Sequence, residues 1–261
     1  MWLDRWRSPP PDPRKVAWIG EQDYAHRGLH GAGVPENSLA AFAAAIGRGL
    51  GIECDVQRSS DGRPVVFHDW ELDRLTHETG EVVRRSAEQL GKVALRGSDE
   101  TIPTLREVLR LTDGRVPLLI EIKSRREERI AALCLAVRRV LEGYGGPHAV
   151  MSFDPRVSRW YARYSPHTVR GLVVSEGEDR ALPGMIRRRL ALWHARPDFL
   201  AYDVRDLPSR FASGQRKRGL PLATWTVRDA ALRERAGQYA DAAIAEGEGL
   251  APLGRRTHEP A

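Results

Sequence analysis

Nine short apolar runs punctuate this sequence, at 23–28, 51–57, 65–69, 117–123, 149–153, 169–174, 199–204, 222–227 and 242–245. Their apolar residues are consecutive more often than alternate, the pattern of strands buried on both faces in a parallel sheet. Between most of them the period changes to that of an amphipathic helix. One such segment opens at Asn37 and Ser38 as cap candidates, buries Leu39, Phe42, Ala43 and Ile46, and stops in Gly47, Gly49 and Gly51. A second begins with the capping-box pair Thr104 and Glu107 and carries Leu105, Val108 and Leu109. A third places Ile130, Leu133, Cys134, Val137 and Leu141 at helical spacing and ends at Gly143 and Gly145.

The gap between 57 and 65 is too short for a parallel crossover, which needs a dozen or more residues, and it contains Asp61-Gly62. The run at 65–69 therefore folds back as a hairpin arm on the strand before it. Eight strand–helix repeats remain, the number of a (β/α)8 TIM barrel. An open doubly wound sheet is the competitor, but no G-x-G-x-x-G or Walker loop supports it. The polar stretch 70–102, with Gly80, Gly91 and Gly97, interrupts the rhythm and reads as a small insertion or lid. The expected organisation is a Pro/Arg-rich arm over 1–22, a barrel domain over 23–250 and a tail over 251–261.

Active sites of such barrels lie at the C-terminal ends of the strands. The first strand ends in His26-Arg27-Gly28, the second carries Glu53 and Asp55, the arm ends in His68-Asp69, and the next barrel strand ends in Glu121-Ile122-Lys123. Glu53 and Asp55 are two apart on a strand and project to one side, with Cys54 on the other. Three carboxylates near one point repel one another unless neutralised. All-oxygen ligation without cysteine suits a hard cation, Mg²⁺ or Ca²⁺. Arg27 and Lys123 beside it would suit a phosphate, and two histidines could act as general base and general acid. Each feature also has a plainer reading: a structural histidine, an E-x-D pair bonded to surface arginines, Cys54 and Cys134 as small buried hydrophobes. The four strand ends together are harder to attribute to packing.

Composition narrows the class. The chain has 261 residues, 41% hydrophobic and 29% charged, enough for one sizeable core and too apolar for disorder. Two cysteines make no disulfide framework, no apolar run approaches the ~20 residues of a membrane span, and the N-terminus lacks the apolar stretch of a secretory signal. A soluble cytoplasmic protein is the expectation. The net charge of +6 comes almost wholly from arginine, since only Lys15, Lys92, Lys123 and Lys217 are lysines. The arginines sit beside helix-like segments or alternate with acids, so a nucleic-acid partner rests on the isoelectric point alone.

The residues His26-Arg27-Gly28, Pro35-Glu36-Asn37-Ser38-Leu39-Ala40-Ala41-Phe42, Ile52-Glu53-Cys54-Asp55-Val56 and Val65-Val66-Phe67-His68-Asp69 resemble the glycerophosphodiester phosphodiesterase family. The resemblance continues through Leu72-Asp73-Arg74-Leu75-Thr76, Ile102-Pro103-Thr104-Leu105, Glu121-Ile122-Lys123, Ser152-Phe153 and Trp225-Thr226-Val227, to about Glu246. It implies a TIM barrel that hydrolyses a small-molecule glycerophosphodiester to sn-glycerol 3-phosphate and an alcohol. Glu53, Asp55 and Glu121 would hold one divalent cation. His26 and His68 would be the acid/base pair, Arg27 and Lys123 the phosphate contacts, and Trp225 a wall near the glycerol. A lysophospholipase D acting at a membrane surface is the nearest alternative, and a non-catalytic phosphate-binding module a more distant one. The chain departs from the family in having Glu246-Gly247-Glu248 where many relatives have a Thr-Asp pair, which leaves the last strand's contribution open.

Overall fold

The computed structural model describes residues 8–125, 127, 129–177 and 181–250. Residues 1–7 of the expected arm and the whole expected tail, 251–261, lie outside the described residues. Among the described residues, one sheet contains β1 (Tyr24–Ala25), β2 (Gly51–Arg58), β3 (Pro64–Val66), β4 (Leu118–Ile122), β5 (His148–Ser152), β6 (Val169–Val174), β7 (Phe199–Asp203), β8 (Leu222–Val227) and β9 (Ala242–Ala245). Its order is β1-β9-β8-β7-β6-β5-β4-β2-β3, and β1 also pairs with β2, so eight parallel strands close into a barrel. Strand β3 stands outside it, antiparallel to β2 with Val56 opposite Val66, which is the expected hairpin arm.

Helices α1 (Pro13–Val16), α2 (Leu39–Gly47), α3 (Ala87–Leu90), α4 (Leu105–Thr112), α5 (Ala131–Leu141), α6 (Pro155–Tyr164), α7 (Leu182–Ala195), α8 (Arg210–Arg216) and α9 (Ala230–Tyr239) follow in chain order. Thr104 and Glu107 form the capping box of α4, each side chain bonding the other's backbone N–H. On α2 the buried face is Ala41, Phe42 and Ala45, with Leu39 and Ile46 half-buried, whereas Ala43, expected inside, is exposed. The run of alanines has no polar stripe to mark its outer side, so the sequence pattern left the face free to rotate by a residue.

Alternation along the strands sorts side chains between two layers. Ala25, Ile52, Cys54, Val56, Leu118, Ile120, Ile122 and Ala245 face outward into one cluster with α2, α4, α5 and α6. Tyr24, Leu119 and Ile244 face inward with Met151, Val173 and Phe199, and Val16 and Ile19 from the segment before β1 join them. Burying each aliphatic of this kind contributes about 1.5–3 kcal/mol. The same parity turns His26, Glu53, Asp55, Glu121, Lys123 and Glu246 inward, one layer above that core. The inserted stretch has a small core of its own: Leu72, Val82, Ala87, Leu90, Val93, Leu95 and Ile102 pack with Val65 and Phe67 of the arm. No helix among the described residues is long and apolar enough to cross a membrane.

Candidate active site

The turn after β1 holds two unusual backbones. Arg27 and Asn37 both adopt positive φ (55° and 57°), rare for residues with a side chain and characteristic of positions held by their surroundings. Between them Gly28 (φ 81°) passes so close to α2 that a Cβ would lie 2.8 Å from that of Ala41, so only glycine fits. This tight path directs the Arg27 N–H to Glu53 Oε2 at 3.0 Å and brings Asn37 onto Asp55. Asn37 Nδ2 donates to Asp55 Oδ2 (3.0 Å), and its Oδ1 accepts from the Asp55 N–H (3.2 Å). The helix cap is Ser38 alone, whose Oγ accepts from the Ala41 N–H.

Three carboxylates meet at this point. One oxygen each from Glu53, Asp55 and Glu121 lie within 4.8 Å of one another, and all three residues are buried. Asp55 and Glu121 are register partners on β2 and β4. Lys123 Nζ reaches Glu121 (3.1 Å) and Asp55 (3.3 Å), and Arg27 Nε lies 3.2 Å from Asp55. Burial, followed by the charges of Asp55 and Glu121, pushes the Glu53 pKa well above the ordinary carboxylate value. Burial also raises that of Asp55, but Lys123 and Arg27 outweigh it and the net shift is downward. With all three ionised, the carboxylates would outnumber the two cations and leave one surplus negative charge among buried hard oxygens, and burial together with that charge raises the pKa values of Glu53 and Glu121. These oxygens are a donor set a divalent ion fits.

The two histidines are held from behind by carboxylates. His68 Nδ1 lies 2.7 Å from Asp69 Oδ1, Arg74 grips Asp69 and Glu36, and Glu36 bonds Arg27, so one chain of contacts runs from His68 to Arg27. Burial lowers the His68 pKa, with Lys123 and Arg27 acting in the same direction against Asp55. Gln57 donates to the carbonyls of Phe67 (2.8 Å) and Asp69 (2.6 Å), fixing the end of the arm beneath His68. His26 Nδ1 lies 2.5 Å from Glu246 Oε2, while its Nε2 is 3.9 Å from Glu53. Trp225 is half-buried on β8, donates from Nε1 to the Ala201 carbonyl (3.0 Å), and meets the exposed Phe153 ring edge-on at 5.4 Å.

The residues expected from the sequence on β1, β2, β4 and the arm thus converge, with Trp225 on β8 among the inward-facing side chains. Asn37, Gln57 and Glu246 join them, although none is among the site residues expected from the sequence. Parity on β9 marks Glu246: Ile244 faces in, Ala245 faces out, and the next residue must face the mouth. Asn37 has no such signal, because its placement depends on the positive-φ turn.

Comparison with known proteins agrees with this fold. Residues 26–247 match the model of the glycerophosphoryl diester phosphodiesterase family. A glycerophosphodiester phosphodiesterase of Caldanaerobacter subterraneus subsp. tengcongensis is 31% identical over 219 residues, 78% of this chain and 84% of that protein. Human glycerophosphodiester phosphodiesterase 1 is 38% identical over 144 residues, covering 51% of this chain and 43% of its own. Among solved structures, an Oleispira antarctica phosphodiesterase in complex with the product sn-glycerol-3-phosphate superposes with a TM-score of 0.75 at 27% identity, over 86% of this chain and 92% of that one. The Thermotoga maritima glycerophosphodiester phosphodiesterase gives 0.69 at 26% identity, over 85% and 92%. The chain belongs to the glycerophosphoryl diester phosphodiesterase family and is a phosphoric diester hydrolase.

Proposed function

We propose that the protein hydrolyses water-soluble glycerophosphodiesters to sn-glycerol 3-phosphate and an alcohol. The observation that carries this reading is the convergence of three buried carboxylates, two cations and two carboxylate-backed imidazoles at one barrel mouth. Glu53, Asp55 and Glu121 would hold one Mg²⁺ or Ca²⁺, which when bound supplies a Lewis acid for a phosphoryl oxygen. Arg27 and Lys123 contact the remaining phosphoryl oxygens. The glycerol hydroxyl next to the diester is the nucleophile, and its proximity replaces an encounter with external water. One histidine takes its proton as the O–P bond forms, and the other gives a proton to the departing alcohol. Water then opens the cyclic phosphate with the two roles exchanged. Trp225, with Phe153 against it, walls the glycerol side.

A lysophospholipid would need an apolar path for its acyl chain. Most large apolar residues of the insertion are committed elsewhere: Leu72, Val82, Leu90, Val93 and Leu95 form its own core with Leu75 packed against it, while Val83 is exposed. The test is a panel of glycerophosphodiesters and lysolipid micelles, with coupled detection of glycerol 3-phosphate, run across metals after chelation. Release from soluble diesters with Mg²⁺ or Ca²⁺ is expected, with His68→Ala slower by about 10²–10⁴-fold in kcat. No release from any soluble diester, with the fold intact, overturns the reading.

A further inference from the structure

The carboxylate of Glu246 faces two imidazoles with the same oxygen. His26 Nδ1 lies 2.5 Å from Oε2 and His30 Nε2 lies 3.5 Å from it, and one ligand atom from each of the three residues falls within 4.8 Å of the others. The first distance is a short hydrogen bond, whereas the second is a long ion-pair contact. His30 Nε2 is buried and has no hydrogen-bond partner, although the His30 side chain as a whole is 24% exposed. The other oxygen of Glu246 is held by Arg228 Nε at 2.6 Å. This cluster lies on the far side of His26 from Glu53, whose carboxylate is near the opposite ring nitrogen.

We propose that His26, His30 and Glu246 form an inhibitory site for a borderline-soft divalent cation of the zinc type, separate from the hard-ion site on Glu53, Asp55 and Glu121. Two imidazole nitrogens with one carboxylate oxygen are a ligand set that favours zinc over Mg²⁺ or Ca²⁺. Bonds of about 2.0–2.2 Å in a tetrahedron place ligand atoms about 3.3–3.5 Å apart. The His30–Glu246 spacing already matches, and His26 need open by only about 1 Å. The ion would enter beside His30, whose side chain is 24% exposed, and the fourth position is left to water.

The chemical consequence follows from the tautomer. In the neutral tautomer that donates Nδ1–H to Glu246, the lone pair of His26 is on Nε2, the nitrogen nearer Glu53. An ion on Nδ1 requires that nitrogen's lone pair, so the ring proton moves to Nε2. No bond of the substrate is touched, but the nitrogen facing the reaction no longer accepts a proton. The enzyme would be held off while its hard ion stays bound. This inference rests on the acid/base role proposed for His26.

The experiment adds zinc to the Mg²⁺-saturated enzyme during diester hydrolysis, and in parallel adds Co²⁺ to the same Mg²⁺-saturated protein and records its visible spectrum. Reversible inhibition at micromolar zinc is expected, together with the absorption bands of low-coordinate cobalt. His30→Ala should keep the zinc-free rate, require at least about tenfold more zinc for half-inhibition, and lose the cobalt bands. Equal zinc sensitivity in wild type and His30→Ala, or an active wild type with neither inhibition nor bands, overturns the site. Cobalt bands in a protein that hydrolyses no diester would leave the metal site standing and refute the catalytic reading instead.

Discussion

At the scale of single residues, Glu246 is the carboxylate behind His26. It touches no atom of the proposed substrate site and acts through His26, fixing which ring nitrogen carries the proton. Glu246→Gln is expected to lower kcat by about 10–100-fold with KM and melting temperature little changed, and Glu246→Asp to recover part of the loss. A rise in KM with kcat intact would assign Glu246 to binding instead. The side to which Glu53, Asp55, Glu121 and Lys123 point was legible from spacing, because E-x-D and E-x-K on strands leave no choice of side. Residues that orient the chemistry were harder to see. Asn37 looks like a helix cap in sequence, next to a serine that is one. Only the turn through Arg27 and Gly28 shows that its amide belongs to Asp55.

Elements were legible where length and period agree. The eight barrel strands and the arm fall within a few residues of their expected limits, because consecutive apolar runs of that length have no stable alternative between helices. The face of α2 was not, since alanine carries no polarity signal. Junctions between elements carry much of the local stability, and α6 shows how. Asp154 caps α6 through the Arg156 N–H (2.9 Å), pairs with the Arg156 guanidinium, and accepts from Ser124 Oγ (2.6 Å), the residue after Lys123. Burial pushes the Asp154 pKa up, but the bonds from Arg156 and Ser124 prevail and hold it below the ordinary carboxyl value. A folded-state value below the unfolded one means stability present above the unfolded pKa and lost as pH falls through the folded value. Asp154→Ala should therefore cost about 1–2 kcal/mol at neutral pH by denaturant titration, with the difference from wild type shrinking as pH falls below the ordinary carboxyl value of about 4. A penalty that persists unchanged in acid would show that the carboxylate charge is not what holds the junction.

On the scale of the whole molecule, the barrel stores an electrostatic debt at its mouth. Glu53 has a folded-state pKa raised by burial and by its acidic neighbours, so its contribution has the opposite sign to that of Asp154. The metal-free fold loses stability as pH rises from the ordinary carboxylate range through that raised value. A divalent ion that binds only the folded state restores it, by about 2.7 kcal/mol at a hundredfold excess over Kd, or roughly 5–10 °C in Tm. The check is a Tm series against pH with chelator and with Mg²⁺ or Ca²⁺. Glu53→Gln should raise the chelated Tm and remove most of the ion response. An ion response retained in that variant would move the ion off these carboxylates. The closure of the barrel has a further consequence for how the chain is made. Strand β1 is two residues long and is completed by β9, more than two hundred residues later. At ribosomal speeds of about 5–20 residues per second, its outer edge waits roughly 10–40 s for its partner. During vectorial synthesis His26 and Glu53 can be assembled early, but the carboxylate that aims His26 arrives last. On the role proposed for Glu246, the site is incomplete until β9 is in place.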